Sequence, residues 1–275
     1  MKFRLSCLAL AAAALLGPSG GRVAAQQPEA FPFDIFGRYL EPLVEQIGMP
    51  GVSAAIVQNG RVARTYNVGY ADVEKKIATR SDTPYPIGGI TQAMTGVLTG
   101  ACIDRFTTSV FDIDRDIRLF VPTFPVADTS VRQVLSHSTG GRFRYDPLLF
   151  VNLTGVIESP QCFNRPFRRS MATEVLDRMA MTRSVPGMDL GRVDSPDLRA
   201  LFDSADLDRY RRVLNDLAVP YKIDVKGRAS RSDYPTYGLD AASGIISTID
   251  DLAKFEIELD SDDGIPLSSS TLNKM

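Results

Sequence analysis

The dipeptide Asn59-Gly60 constrains the fold more than any other local feature, because it separates two runs rich in β-forming residues. Asn-Gly between such runs is the strongest short signal for a β-hairpin. The runs are GVSAAIVQ before the dipeptide and RVARTYNVGYAD after it. A helical spacing of apolar residues precedes the hairpin over 31–47, and Gly48 and Pro50 end it. The sequence therefore predicts a helix followed by an antiparallel pair of strands.

From Gly88 onward the pattern becomes mainly helical. Ile90, Met94, Val97, Leu98 and Ala101 fall on one helix face. A second helix is predicted in TSVRQVLSH, with Thr129 or Ser130 as its N-cap. Further helices are expected over about 148–158, 168–181 and 206–218, and a last one begins after Ser247 or Thr248. A helix and a hairpin are thus followed mainly by helices.

Composition and motifs exclude several classes of function. The 275 residues carry a net charge of −2, which argues against a nucleic-acid-binding protein, because such proteins carry a basic patch. A single histidine, His137, excludes zinc sites of the HExxH type, and no G-x-S-x-G elbow is present beyond residue 25. No metal site is therefore expected. His137 lies at the end of the helix predicted in TSVRQVLSH, which favours a structural role over a catalytic one.

The first 25 residues resemble a secretory signal peptide. Lys2 and Arg4 precede an apolar run, Leu5–Leu16, and small residues stand at 23–25. The run is too short to span a bilayer, so no membrane span is expected after cleavage. We therefore expect export to a periplasmic or extracellular location. In an oxidising compartment Cys102 and Cys162 could pair, but two buried thiols are an equal alternative at this stage.

Several segments together resemble the serine β-lactamase and penicillin-binding-protein superfamily, in the branch of class C β-lactamases, D,D-peptidases and esterases. They occur in the family's order along the chain and are GVSAAIVQNGRVARTYNVGYADVEKK, DTPYPIGGITQAMTG, FDIDRDIRLFVPTF, TSVRQVLSHSTGG, RFRYDPLLFVNLTGVIE, AASGIISTIDDLAKF and PLSSSTLNKM. The resemblance implies the α/β (α+β) fold class and a β-lactamase/transpeptidase-like domain over 26–275, with an incomplete antiparallel sheet and a mostly helical part. It implies no cofactor.

The resemblance also assigns the family's first catalytic motif to residues that lack its chemistry. In the family, Ser-x-x-Lys opens a helix; the serine is acylated, and the lysine one turn later takes or relays its proton. Gly89 stands at the serine position and Gln92 at the lysine position. Glycine has no side chain to acylate, and glutamine is not a base near neutral pH.

The second family motif, Tyr-x-Asn, corresponds to Tyr145-Asp146-Pro147. The resemblance gives Tyr145 a part in proton transfer, with a buried structural aromatic as the alternative. It gives Pro147 the substrate-binding position of the asparagine, but proline lacks both a side-chain amide and a backbone N–H. The third motif, a Lys/His-Thr/Ser-Gly triplet, lies in the family beyond the segment that PLSSSTLNKM resembles. We therefore expect a sheet that lacks its C-terminal strands and helix and leaves the hairpin with a free edge.

Three functions remain open from the sequence. The first is a catalytically inactive relative that serves as a binding module in the cell envelope, with a peptidoglycan-like peptide, an ester or a small anion as ligand. The second is an active hydrolase (β-lactamase, D,D-peptidase or esterase) that uses another nucleophile. The third is a truncated fragment without a function of its own. The sequence gives no oligomeric state.

Overall fold

A computed structural model describes residues 33–106, 109–191, 196–234, 240–261 and 267–275. The predicted signal peptide lies outside these residues. The α-helices are α1 Phe33–Gln46, α2 Thr91–Arg105, α3 Val131–Leu135, α4 Pro147–Phe150, α5 Leu153–Glu158, α6 Phe167–Met171, α7 Pro196–Leu201, α8 Ser204–Asn215, α9 Ile249–Asp260 and α10 Ser269–Leu272. The strands are β1 Gly51–Gln58, β2 Arg61–Asp72, β3 Ile77–Ala78, β4 Tyr85–Pro86, β5 Tyr221–Ile223, β6 Ala229–Arg231 and β7 Ile246–Ser247.

The predicted hairpin is confirmed and forms the core of a three-stranded antiparallel sheet in the order β1-β2-β3. Asn59 and Gly60 both have positive φ, 53° and 68°, as a tight hairpin turn requires. Strands β1 and β2 pair from Gly51 with Gly69 to Gln58 with Arg61. The predicted helix before the hairpin is α1, which packs on β2, where the ring of Phe36 lies 5.2 Å from that of Tyr66.

Apolar side chains of α1 are partly exposed, and one edge of β1 has no strand partner among the described residues. On α1 and the residue after it, five large apolar side chains keep two fifths or more of their surface exposed: Ile35, Phe36, Tyr39, Leu43 and Ile47. Strand β1 pairs only with β2 in the part of the chain that the structure describes, and it carries no charged residue. The predicted free edge of the hairpin is thus present in this part of the chain.

A second, short sheet links distant parts of the sequence. Tyr85 in β4 pairs with Ser247 in β7, and the N–H of Ile87 donates to the carbonyl of Ile245 at 3.1 Å. This pairing fixes the backbone just before the turn that leads into α2. Strands β5 and β6 form a separate hairpin.

Helix α2 is the centre of the helical part. Its buried side chains Met94, Leu98 and Cys102 belong to the main hydrophobic cluster, and all three have no exposed surface. Thr95, also fully buried, donates its hydroxyl to the carbonyl of Ala241 at 2.8 Å, which satisfies the hydroxyl inside the core. A disulfide joins Cys102 to Cys162, with the Cα atoms 5.3 Å apart, and so ties α2 to the loop after α5.

Local capping signals set several helix starts. Ser130 is the N-cap of α3 and forms a capping box with Gln133, while Thr248 caps α9. The expected helix over 148–158 is instead two short helices, α4 and α5, separated at residues 151–152. The expected helix over 168–181 is α6 followed by a π-helical turn, Ala172–Leu176. The break between α4 and α5 and this π-helical turn are local irregularities, which the spacing of apolar residues does not reveal. No helix among the described residues is both long and apolar enough to cross a bilayer.

Candidate functional site

The candidate site begins at a turn between β4 and α2. Residues Gly88–Ile90 form one 3-10 turn, and Thr91 then opens α2. Gly88 has a positive φ of 52°, a conformation that favours glycine. The N–H groups of Ile90 and Thr91 donate to carbonyls within the turn, whereas no described hydrogen bond uses the N–H of Gly88 or Gly89. The pairing of β4 with β7 fixes the backbone at the start of this turn.

Gly89 leaves an open space in front of this turn. A Cβ atom placed on Gly89 would meet one group within 4 Å, the hydroxyl of Tyr145, at 3.2 Å. The structure therefore brings the two predicted site residues Gly89 and Tyr145 together, although 56 positions separate them in sequence. Tyr145 is 56% exposed, so it is not the buried structural aromatic considered as an alternative.

Gln92 lies one turn after Gly89 and contacts Tyr145 as well. Its amide Nε2 donates to the Tyr145 hydroxyl at 3.1 Å. Its amide oxygen Oε1 lies 2.9 Å from Nε2 of His137. Three of the predicted site residues, Gly89, Gln92 and Tyr145, thus form one cluster.

His137 is the member of this cluster that sequence reasoning missed. It follows the end of α3 with a positive φ of 51°, and its ring lies 4.8 Å from that of Tyr145 and is stacked on Phe150 at 5.1 Å. Its Nδ1 accepts a hydrogen bond from the backbone N–H of Asp146 at 3.2 Å. Burial lowers the pKa of His137, and the nearby Asp146 carboxylate opposes this shift only in part. The imidazole is thus favoured in its neutral form. The only feature of the sequence that could have pointed to His137 as a site residue is that it is the sole histidine.

Pro147 has a local structural role. It is the first residue of α4, where a proline is tolerated because its missing N–H has no partner in the helix. Asp146 caps the helix, its carboxylate accepting from the N–H groups of Leu148 and Leu149, both at 3.0 Å. Pro147 therefore fixes the start of α4 directly after Tyr145, and no described hydrogen bond joins it to Gly89 or Gln92.

Neither Gly89 nor Gln92 brings a hydroxyl, a thiol or an amine to the cluster. The hydroxyl closest along the chain, Thr91, is fully buried and accepts from the N–H of Ile245 at 3.3 Å. Among the described residues, no three histidine, cysteine or acidic side chains are grouped so that they could hold a metal ion. What the site offers is a set of hydrogen-bonding groups around an open space at Gly89.

Comparisons with known proteins agree with the sequence resemblance. The sequence model described as Beta-lactamase matches residues 36–275. A beta-lactamase of Escherichia coli K12 is 36% identical over 72 residues, which are 26% of this chain and 19% of that protein. The human mitochondrial serine beta-lactamase-like protein LACTB is 26% identical over 110 residues, 38% of this chain and 20% of that protein. The matched segments thus span about a fifth of these relatives.

A solved structure has the same fold. The octameric penicillin-binding protein homologue from Pyrococcus abyssi superposes with a TM-score of 0.73 at 20% sequence identity. The alignment covers 89% of this chain and 60% of that one. The predicted fold class, an α/β arrangement of β-lactamase type, is confirmed.

Proposed function

The chain belongs to the beta-lactamase family, and from this premise we propose that it binds a small acyl or anionic ligand without hydrolysing it. The supporting observation is the cluster of Gly89, Gln92 and Tyr145, which keeps the spatial arrangement expected from the resemblance but has neither a serine nor a lysine. Loss of a catalytic nucleophile or its base costs on the order of a million-fold in rate.

The ligand class follows from the groups that remain. The N–H of Gly89, at the start of a helix, favours an oxygen acceptor, since helix N-termini attract anions. The space at Gly89 is open up to the Tyr145 hydroxyl. A peptidoglycan-like peptide with a terminal carboxylate, an ester or a small anion each brings such an oxygen.

We propose further that the protein acts outside the cytoplasm, in a periplasmic or extracellular location. The disulfide between Cys102 and Cys162 supports this proposal, because such bonds persist in oxidising compartments. The predicted signal peptide at residues 1–25 points the same way.

Covalent labelling tests the absence of hydrolysis. The full chain is incubated with a fluorescent penicillin and with a fluorophosphonate, and its intact mass is measured. We expect no adduct. An adduct would contradict the proposal and favour an active hydrolase, and peptide mapping would show whether Tyr145, the hydroxyl beside the open space, carries it.

Titration followed by NMR tests binding. We expect millimolar acetate and an acyl-D-Ala peptide to shift the backbone amide signal of residue 89. In Gly89→Val, where the added side chain fills the space, the amide signal of the new residue 89 should not shift. Gly96→Ala is the matched control, because it adds a methyl group elsewhere in the same family segment, 4.0 Å from the nearest atom. No shift of the Gly89 signal at millimolar concentrations would end the binding proposal.

A further inference from the structure

A cavity of about 450 Å³ lies beside the first sheet, apart from the candidate site. Its walls come from the end of β2, from β3, from the segment before β4, from Arg183, from the end of α8 and the residues after it, and from the end of β6. No member of the cluster of Gly89, Gln92 and Tyr145 lines this cavity. Small-molecule sites in proteins have volumes of about 300–1,000 Å³, so the cavity has room for one small ligand.

Hydrogen bonds between the walls hold the cavity in shape. The N–H of Val219 donates to the carbonyl of Ala71 at 2.7 Å, which joins the segment after α8 to the end of β2. The guanidinium of Arg183 donates to the carbonyl of Asp82 at 3.1 Å and to the carboxylate of Asp216 at 3.0 Å. Because the walls are already joined, a ligand would not have to order them, and binding would cost little conformational entropy.

Asp72 brings a carboxylate oxygen with spare hydrogen-bonding capacity to the cavity. Its side chain is 7% exposed, and one oxygen accepts from the backbone N–H of Lys75 at 2.9 Å. The other oxygen lies 3.7 Å from the Lys75 ammonium, beyond hydrogen-bond distance, and no described hydrogen bond reaches it. No fully buried side-chain oxygen among the described residues lacks a hydrogen-bond partner, so this oxygen is in contact with solvent. A ligand that displaces that solvent must bring a donor, because a desolvated carboxylate oxygen without one is unfavourable.

The cavity also carries more positive than negative charge. Four basic side chains and three carboxylates line it. Two of the carboxylates form ion pairs with arginines, at 2.6 Å and 3.0 Å: Asp82 with Arg80, and Asp216 with Arg183. The charges of Lys75 and Arg231 both act on Asp72, and, together with the Lys75 N–H, they lower the pKa of its carboxyl group. Arg231 is exposed and has no described hydrogen bond or ion pair, so its guanidinium can take an anionic group.

We propose that this cavity binds a small anion that carries hydroxyl groups, with its anionic group between Lys75 and Arg231 and one hydroxyl donating to Asp72. An anion without hydroxyls would displace solvent from the Asp72 carboxylate and offer no donor in return. A ligand with an ammonium donor would meet the positive charges of Lys75 and Arg231. Leu217 and Val219 also line the cavity, and their apolar side chains suit the carbon chain of such a ligand. This binding site is independent of the function proposed above.

Three probes of the same chain length separate the two features of the ligand. D-Gluconate has a carboxylate and hydroxyls, D-glucitol has the hydroxyls alone, and hexanoate has the carboxylate alone. In calorimetric titrations of the full chain, we expect gluconate to bind at least about tenfold more tightly than either of the others. Gluconate should also shift the backbone amide NMR signals of Leu217 and Val219, which line the cavity. D-Glucose 6-phosphate shows whether a phosphate fits better than a carboxylate, and binding of either compound supports the proposal.

Two variants test the residues that would hold the ligand. Arg231→Gln should weaken gluconate binding about tenfold, the loss of one hydrogen bond between charged groups, and should leave the fold intact because Arg231 is exposed. Arg61→Gln is the matched control, since Arg61 is also exposed at the end of a strand but does not line the cavity. Asp72→Asn keeps an acceptor for the N–H of Lys75. It should reduce the preference for gluconate over hexanoate, because a hydroxyl gains more from a charged acceptor than from an amide.

The variant Gly89→Val separates this cavity from the first site, because gluconate is itself a carboxylate. Gluconate should bind Gly89→Val as tightly as it binds the unmodified chain. Loss of binding in this variant would place gluconate at Gly89, which would overturn the inference while supporting the function proposed above. Equally tight binding of D-glucitol or hexanoate, or unchanged binding of gluconate in Arg231→Gln, would also overturn it. So would the failure of both gluconate and glucose 6-phosphate to bind at millimolar concentrations.

Discussion

The amide oxygen of Gln92 lies 2.9 Å from Nε2 of His137, so the residue at the family's lysine position contacts the only histidine in the sequence. This contact makes the site a network of neutral groups. Because burial lowers the pKa of His137, the network is expected to stay uncharged near neutral pH. It holds Tyr145 in place without a charged base.

We expect chemistry to return only when both missing side chains are supplied. Gly89→Ser should fold, because its Cβ meets only the Tyr145 hydroxyl at 3.2 Å, and a half-exposed side chain can move by a few tenths of an ångström. It should nevertheless remain unlabelled by penicillin, since no base is present. Gly89→Ser combined with Gln92→Lys should form a covalent adduct, measured as an increase in intact mass.

The matched control for this pair is Gly89→Ala with Gln92→Lys, which adds the same base without a hydroxyl. An adduct on the control would show that another residue is the nucleophile. Absence of an adduct on a folded Ser/Lys variant would show that the site lacks more than these two groups.

The free energy of unfolding should decrease as the pH is lowered, over a pH range that the pKa of His137 sets. Its pKa is lower in the folded protein than its usual value of about 6.5, so the unfolded chain binds the proton more readily. The stability contributed by neutral His137 is therefore complete above about pH 6.5 and is lost as the pH falls through the folded pKa. Protonation would also set an N–H at Nδ1 against the N–H of Asp146.

Melting temperatures from pH 8 to pH 5 check this dependence. The reference is His137→Asn, because asparagine tolerates the positive φ at this position. The advantage of the unmodified protein over this variant should shrink below pH 6.5. A constant difference across the range would contradict the assignment.

Reduction of the disulfide should destabilise the protein by about 4 kcal/mol, the loop-entropy value for a separation of 60 residues. The bond joins Cys102 in α2 to Cys162, and both side chains are buried. Denaturant unfolding with and without a reductant measures the change. In Cys102→Ala/Cys162→Ala the reductant should have no effect, and a similar reductant effect in that variant would assign the change to another cause.

Replacement of Asp251 by alanine should cost about 3 kcal/mol, because it breaks a buried polar network. Its carboxylate is 2% exposed and accepts from the Arg183 N–H at 2.7 Å, the Ser184 hydroxyl at 2.9 Å and the Lys254 ammonium at 2.7 Å. The control is the neighbouring substitution Asp250→Ala. The carboxylate of Asp250 accepts one hydrogen bond, from the Ser81 hydroxyl at 2.8 Å, so its loss should cost about 1 kcal/mol or less. Equal losses in urea unfolding would refute the ranking.

The features that could be read from the sequence are those with local causes. The Asn59-Gly60 turn and the caps at Ser130 and Thr248 depend on residues within a few positions of each other. The contact of Gln92 with His137 crosses 45 positions, and periodicity carries no information about it. That Gly89 and Tyr145 lie close together could be predicted only from the family resemblance, because the family has a known spatial arrangement of these two motifs.

Strand β1 also bears on how the protein behaves in solution. The stretch Gly51–Val57 has no charge and no proline, and both its composition and its length are typical of segments that stack into cross-β aggregates. The nearest residues that can oppose such stacking are Pro50 before it and Arg61 and Arg64 on the neighbouring strand. Because the outer edge of β1 is unpaired among the described residues, refolding chains are expected to associate through this stretch at high concentration. A lysine on its free edge should therefore raise the yield of dispersed protein.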